Sequence, residues 1–357
     1  MGLESLFYST HVAWMDSSAG PDTDVVISSR VRLARNLDAI PFPHLLNEQS
    51  GKEVIDLIKQ ACTQSEYEPL RALEGVTFDH LTDLDRQILM EKHLISPQHA
   101  HYKDSYRGLL VDKDGSQSIM INEEDHLRIQ GLLPGFDLEK CNQAVQKLDD
   151  ELEKVLTYAF DAHRGYLTAC PTNVGTGMRA SVMLHLPGMA MTAQTNQIFH
   201  NIGQLGMTVR GLYGEGTQVL GNFYQLSNQV TLGLSEEEIC HNLTLVTRQI
   251  IEQERRVRES LKSGMAYQLR DRIGRAYGLL SHAAIISSNE ALTLLSDLRL
   301  GVDLGLITHI QASAINELIV AIRPAHLQKR AGQEMDAFQR DIKRAEVIKE
   351  ILFRNKS

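Results

Sequence analysis

The 357-residue chain carries 36 basic against 45 acidic side chains, a net charge of −9, and 43% hydrophobic residues. A chain of that length buries a substantial core and has room for two domains, while its acidic balance argues against a general nucleic-acid binder. Cys62, Cys141, Cys170 and Cys240 form no CxxC pair, so neither a zinc ribbon nor a disulfide framework is expected and a reducing cytoplasm fits best. The N-terminus shows no basic-then-apolar leader and no stretch reaches bilayer length, so neither export nor membrane insertion is expected.

From Asp24 to about Val230 short β-rich runs recur, DVVISSRVRLA, YRGLLVD, SQSIMIN, HLRIQGLL, RASVMLHL and QVTLGL, with a hairpin turn at Asp114-Gly115. Between them, residues 83–94, 137–160 and 189–203 show apolar spacings of three and four, which predict helices. Strands in runs with helices between them, not in βαβ alternation, predict an α+β fold around an antiparallel sheet. Ser235 followed by Glu236-Glu237-Glu238 reads as a capped helix start, and its amphipathic run reaches about Leu261. Lys262-Ser263-Gly264 offers a break, after which 265–352 reads as several helices, so the domains are expected at 1–262 and 263–357, the second all-α. Charge follows the same division: 1–262 holds 23 Lys/Arg and 35 Asp/Glu, whereas 263–357 holds 13 and 10.

Several residues in these segments are equipped for phosphate chemistry. Arg30 and Arg32 alternate along an apparent strand and so project from one face, where guanidinium groups can grip phosphate oxygens through paired, charge-assisted hydrogen bonds. A polar strand face on solvent would look the same. Arg128, Arg179 and Arg210 sit in similar settings; Arg179 follows Gly175 and Gly177, which permit close backbone approach to an anion, and Arg210 opens a glycine-rich segment. No P-loop, HRD or DFG signature accompanies them, which excludes the ordinary protein-kinase arrangement. The acidic run Asn122-Glu123-Glu124-Asp125-His126 and the glycine-flanked Glu215 suit a cationic substrate, magnesium, or simply an acidic turn in water. Cys170 stands where a loop leaves the sheet, either as an activated thiol or as an inert packed one. His93 lies on an apolar helix, a usual place for a structural histidine.

In the order VVISSRVRLAR, NEEDHLRI, CPTNVGTGMRASV and RGLYGEG, over roughly residues 22–262, the chain resembles the phosphagen (guanidino) kinases. That resemblance implies an antiparallel-sheet catalytic domain flanked by helices, using ATP with Mg2+ and no protein-held metal. It assigns the nucleotide to Ser28, Ser29, Arg30, Val31 and Arg32, to His93 and Arg128, to Arg179, Ala180, Ser181, Val182 and Met183, and to Arg210, Gly211, Leu212, Tyr213 and Gly214. Glu124 and Glu215 match the carboxylates that hold the guanidinium, and Cys170 matches the family's active-site cysteine.

Two features resemble the family's bacterial protein-arginine kinases more than its metabolite kinases. The first arginine motif begins at Ser28 without the substrate-closing helical domain that precedes it in the metabolite enzymes, and Tyr213 stands where those enzymes often carry arginine. The tail holds Arg340-Asp341-Ile342-Lys343-Arg344-Ala345, which matches a phosphoarginine-binding motif through Arg340, Asp341, Arg344 and Ala345. The resemblance therefore implies phosphorylation of arginine in proteins, a homodimer formed through the helical domain, a zinc-binding activator protein, and delivery of marked proteins to a Clp protease. A kinase for a small guanidino metabolite and a phosphoarginine-reading adaptor with a silent kinase site are the alternatives.

Overall fold

A computed structural model of the chain describes residues 5–211 and 220–354. Ten strands, β1 Val26–Arg35, β2 Glu74–Thr77, β3 Gly108–Val111, β4 Gln117–Ile121, β5 Leu127–Pro134, β6 Phe160–Asp161, β7 Gly165–Tyr166, β8 Met178–His185, β9 Met207–Arg210 and β10 Phe223–Asn228, are described. Eight of them form one antiparallel sheet in the order β2-β3-β4-β5-β1-β8-β10-β9, and β6 and β7 make a separate hairpin. The helices are α1 Ser5–Tyr8, α2 Glu48–Gln64, α3 Glu68–Arg71, α4 Asp83–Glu91, α5 Leu138–Glu153, α6 Pro187–Met191, α7 Thr195–Gln204, α8 Glu236–Gly264, α9 Ala266–His282, α10 Ser288–Asp303, α11 Ala312–Ala321, α12 Pro324–Ala331 and α13 Ala337–Phe353. This is the expected α+β arrangement with a helical C-terminal region.

The ten-residue β1 is central because its two faces are chemically different. Val31 and Leu33 point to one side with Ile129 of β5, Ala180 and Val182 of β8 and Leu226 of β10, where they pack on Val145 and Leu148 of α5, Leu243 and Ile250 of α8 and Val54 and Ile58 of α2. Alternation then turns the even-numbered side chains of β1 to the other side. That face bears the polar cleft, and beyond the cleft Ile27, Leu132 and Met183 join a hydrophobic cluster continuous with Trp14 and the C-terminal helices.

A buried polar seam joins the C-terminal helices to the sheet. Ser296 on α10 meets His185 Nε2 at 2.9 Å and accepts from Asn222 Nδ2 at 2.9 Å; Arg258 on α8 donates to the His185 carbonyl at 3.0 Å and pairs with Glu254 at 2.6 Å. Gly221 turns at φ +63, and a Cβ there would stand 2.5 Å from the Leu292 carbonyl, so only glycine lets α10 approach this closely.

Three sequence expectations shift in detail, and one helix was not expected. QVTLGL is not a strand: β10 ends at Asn228, and Thr231 spends its hydroxyl on the carbonyls of Val174 at 2.7 Å and Thr172 at 2.9 Å. The run 137–160 stops at Glu153 because Phe160 and Asp161 pair with β7. The run 189–203 divides into α6 and α7 where Ala193 takes φ +57. Helix α2, which the apolar spacings did not single out, starts at a capping box between Asn47 and Ser50. The capped start at Ser235 is present, and α8 runs on to Gly264 before the chain turns at Met265.

Candidate active site

Strand register gathers the arginines. Arg30 and Arg32 lie two apart on β1, Arg179 on β8 is the direct cross-strand neighbour of Arg32, and Arg128 on β5 stands opposite Ala34. Arg210, the last residue of β9, is opposite Gln225 on β10. Because each partner occupies the same parity, all five side chains point to one face. They line a cleft of about 410 Å³ together with His93, Gln130, Glu123, Glu124, Cys170 and Gln225. The cleft's far rim is the Cys170–Gly177 loop. Gly177, at φ +64, allows that loop to press against β1, since a Cβ would lie 2.6 Å from the Ala34 carbonyl.

These cations are crowded. Burial, with the charges of Arg128 and Arg179, pushes Arg30 down to about 10, and burial together with Arg30, Arg128 and Arg179 pushes Arg32 well down from the ordinary arginine value. The Nε of Arg32 is sealed from solvent and has no hydrogen-bond partner among the described residues. Such a concentration of like charge is complementary to a polyanion. His93 closes the cleft floor at φ +63, edge-on to Trp14 with ring centroids 5.7 Å apart; burial, then Arg30 and Arg323, hold its pKa down to about 3, so its imidazole is neutral.

Opposite charge faces the arginines from the turn after β4. Arg128 bridges Glu123 at 2.7 Å and Glu124 at 3.1 Å, and Ser96 donates to Glu123 at 2.5 Å. Glu123 is buried, whereas Glu124 is about one-third exposed and opens into the cleft. Burial raises the Glu124 carboxyl, Arg128 opposes that rise, and Glu123 and Asp125 add to it. Arg107 fixes the turn from behind by donating to the Glu123 carbonyl at 3.1 Å, with its guanidinium 3.6 Å from the Tyr102 ring centre. Cys170 is half-buried, with Sγ 3.0 Å from Thr172 Oγ1.

The remaining predicted positions divide by geometry. Ser28, Ser181 and Met183 share the arginine parity and line a narrow recess beside the cleft with Trp14 and His93. Val31, Ala180 and Val182 are a correction at the side-chain level: their odd or offset parity buries them in the opposite core, so their side chains do not line the cleft. Ser29 is likewise turned away, donating to the Gly135 carbonyl at 2.8 Å and accepting from Asp137 N at 3.1 Å. Gly211 is buried directly after Arg210, while Leu212, Tyr213, Gly214 and Glu215 lie outside the described residues.

The tail segment expected to bind phosphoarginine lies apart from the cleft on α13. Asp341 and Arg344 do pair across one helix turn, and Arg340 donates to the Met335 carbonyl at 3.0 Å. Arg344, however, is buried and donates to the carbonyls of Ile322 at 3.1 Å and Ile286 at 2.9 Å, and Ala345 is fully buried. In this arrangement the Arg344 guanidinium ties α13 to the chain segments before α10 and α12.

Sequence reasoning passed over Gln130, Gln225 and Ser96. Strand parity identifies the two glutamines once the register is known; nothing local marks Ser96. Among the described residues no group of three or more His, Cys, Asp or Glu side chains is placed to hold a metal ion, and no helix is long and apolar enough to cross a membrane.

Comparison with known proteins gives a consistent result. Residues 53–257 match the family model for the ATP:guanido phosphotransferase C-terminal catalytic domain, and 266–357 match that for the protein-arginine kinase McsB C-terminal domain. The protein-arginine kinase of Syntrophomonas wolfei subsp. wolfei is 61% identical over 352 residues, covering 99% of this chain and 98% of its own. That of Desulforamulus reducens is 50% identical over 353 residues, with the same coverage of each. Among solved structures, a lombricine kinase matches 71% of this chain and 72% of its own with a TM-score of 0.58 at 24% identity. A duplicated taurocyamine kinase from Schistosoma mansoni matches 70% of this chain and 38% of its own with a TM-score of 0.59, also at 24% identity. At that identity the two structures establish the fold.

Proposed function

Because the chain belongs to the ATP:guanido phosphotransferase family, and within it to the protein-arginine kinases, we propose that the cleft transfers the γ-phosphoryl group of ATP to a guanidinium nitrogen of arginine in a polypeptide. The observation that carries this reading is the convergence of five arginines on one sheet face with Glu124 opening into the same cleft.

Arg30, Arg32, Arg128, Arg179 and Arg210 bind the triphosphate, and neutral His93 contacts the nucleotide without adding another charge. A divalent cation such as magnesium, bound with the nucleotide, would supply further neutralisation of phosphate charge. Glu124 pairs with the acceptor guanidinium, fixes its plane and receives a proton as the new bond forms; by sequence Glu215 is the second carboxylate of that pair. One N–P bond forms, the bond from the γ-phosphorus to the bridging oxygen breaks, and ADP leaves. A fixed arginine cage suits this step, because charge in the loose transition state is spread over the equatorial phosphoryl oxygens. Cys170 lines the same cleft as Glu124. In this reading 1–262 is the catalytic unit and 263–357 a unit for dimer formation and phosphoarginine recognition. Marking of proteins for Clp degradation in the cytoplasm during stress, with a zinc-binding activator protein, belongs to the same proposal.

Incubation with MgATP and either an arginine-rich protein or free arginine tests it. Acid-labile phosphate on arginine of the protein is the expected product. Phosphorylation of free arginine alone would move the chain to the metabolite kinases, and no transfer to either acceptor, with function retained, would leave only an adaptor.

A further inference from the structure

The turn that carries Glu124 and the loop that carries Cys170 are tied together by a buried polar bridge that the chemistry above does not use. Asp125, fully buried, accepts two hydrogen bonds on one carboxylate oxygen: Asn36 Nδ2 donates to its Oδ1 at 2.6 Å, and the backbone N–H of Ala169, the residue before Cys170, donates at 2.7 Å. Asn36, 1% exposed, completes the bridge. Its Nδ2 also donates to the Leu167 carbonyl at 3.1 Å, its Oδ1 accepts from the backbone of His126 at 2.9 Å, and its carbonyl accepts from Ala159 N at 2.7 Å. Next to it, Leu37 N donates to His126 Nδ1 at 3.0 Å. Three segments distant in sequence, the end of β1, the turn after β4 and residues 167–170, thus close on a single carboxylate.

The other oxygen, Asp125 Oδ2, is buried without a hydrogen-bond partner among the described residues. A buried carboxylate with a bare oxygen is costly. What the bridge secures is a fixed separation between its two neighbours in sequence, Glu124 immediately before it and Cys170 immediately after Ala169, both of which line the cleft. On the Cys170 side the loop is tightened again by Thr168 Oγ1, which donates to the Cys170 carbonyl at 2.7 Å.

We infer that Asp125, held by Asn36, is a positioning residue for phosphoryl transfer that sets where Glu124 stands relative to Cys170, and hence where the acceptor guanidinium sits. The inference rests on the transfer reaction proposed above. Asp125 touches no reacting atom; it acts through the two loops it joins. Misplacement of a reacting group by as little as 1 Å can cost about 100-fold in rate, so a bridge of this kind affects turnover more than nucleotide affinity.

The test compares Asp125→Ala, Asp125→Asn and Asn36→Ala in the full-length chain. Asparagine keeps an oxygen that can accept both hydrogen bonds, whereas alanine removes it. The expected result for Asp125→Ala is a fall in kcat of about 10- to 100-fold toward a protein acceptor, with KM for ATP changed less than about twofold. Iodoacetamide should alkylate Cys170 at an altered rate, and the readout is clean because Cys62, Cys141 and Cys240 are buried. Asp125→Asn should restore kcat to within about threefold of the parent and restore the alkylation rate. Asn36→Ala should show the same pattern as Asp125→Ala to a smaller degree. Parental turnover in Asp125→Ala, or equal impairment in Asp125→Asn, would overturn the positioning role. If Asp125→Ala does not fold, parental turnover and alkylation in Asn36→Ala would do the same. A parent chain that phosphorylates no protein arginine defeats the proposed function instead; Cys170 alkylation then decides the bridge without turnover.

Discussion

Replacing Arg32 with methionine separates what the cleft costs the fold from what it does for the ligand. In the nucleotide-free protein Arg32 is pressed by Arg30, Arg128 and Arg179, and its Nε is sealed without a partner. A buried donor left unsatisfied costs about 1–3 kcal/mol, and methionine fills a similar length of cleft without that penalty. Arg32→Met should therefore stabilise the free protein by about 1–3 kcal/mol. With an unfolding entropy of about 2.1 cal/mol/K per residue, 357 residues give a rise in Tm of about 1–4 °C. Addition of an ATP analogue at 100 times its Kd should stabilise the parent by about 2.7 kcal/mol, whereas the variant should gain almost nothing. Differential scanning calorimetry should thus show a higher Tm for the variant in the free state, and an advantage that shrinks by about 2.7 kcal/mol on nucleotide saturation and reverses wherever it began below that value. A variant that melts below the parent in the absence of nucleotide, or that keeps the nucleotide-induced rise, refutes the claim that Arg32 is held in a strained cluster for a polyanion.

Glu124→Gln should lower kcat by about 10²- to 10⁴-fold while leaving the Tm and nucleotide affinity near parental, because the side chain is partly exposed and its role is in proton transfer. Burial raises the Glu124 carboxyl above its usual value, so the ionised form that accepts the proton is lost early as pH falls. The acid limb of kcat should lie above the usual glutamate range and move to lower pH in Asp125→Asn, which removes a charge that raises Glu124; an unmoved limb assigns the titration to another group. Buried His93, His99 and His126 are held down to about 3, 4 and 4 from 6.5, chiefly by burial. Depressed values mean that the unfolded chain takes up protons first, so stability is full above pH 6.5 and falls as pH drops toward 4, by on the order of 3 kcal/mol for His99 alone. Urea midpoints measured from pH 7 to pH 4.5 should decline, less steeply in His99→Gln, and a flat profile contradicts the assignment. Gly221→Ala should cost about 1–3 kcal/mol through its positive φ and the contact with the Leu292 carbonyl; an unchanged denaturant midpoint would show that α10 does not bear on the turn.

Local chemistry made much of the protein legible in advance. Alternation along VVISSRVRLAR places Arg30 and Arg32 on one face whatever the surrounding topology, because side chains along a strand change sides at each residue. Ser235 with Glu238 announces the start of α8, a signal confined to four residues that survives into the structure as a reciprocal cap. Where the local signal was ambiguous, tertiary context overruled it. QVTLGL has strand composition, yet its Thr231 hydroxyl is taken by the loop leading to the cleft; the run to residue 160 has helical spacing, yet its end pairs with β7.

The motifs could name chemistry-bearing residues but not decide which of them share a space. Arg128 and Arg179 are separated from Arg32 by 96 and 147 residues of chain, and only the antiparallel register of β5, β1 and β8 brings them to one face. The same register sends Val31, Ala180 and Val182 to the opposite core although they sit within the same motifs. Arg344 shows the converse: its motif spacing was readable, but the carbonyls that surround it come from segments 22 and 58 residues away. The bridge at Asp125 joins residues 36, 125 and 169. Sequence determines periodicity and capping because their physics acts within a few residues; which charges meet, and which are left unpaired, depends on hydrogen-bond register across the sheet, which only the folded chain sets.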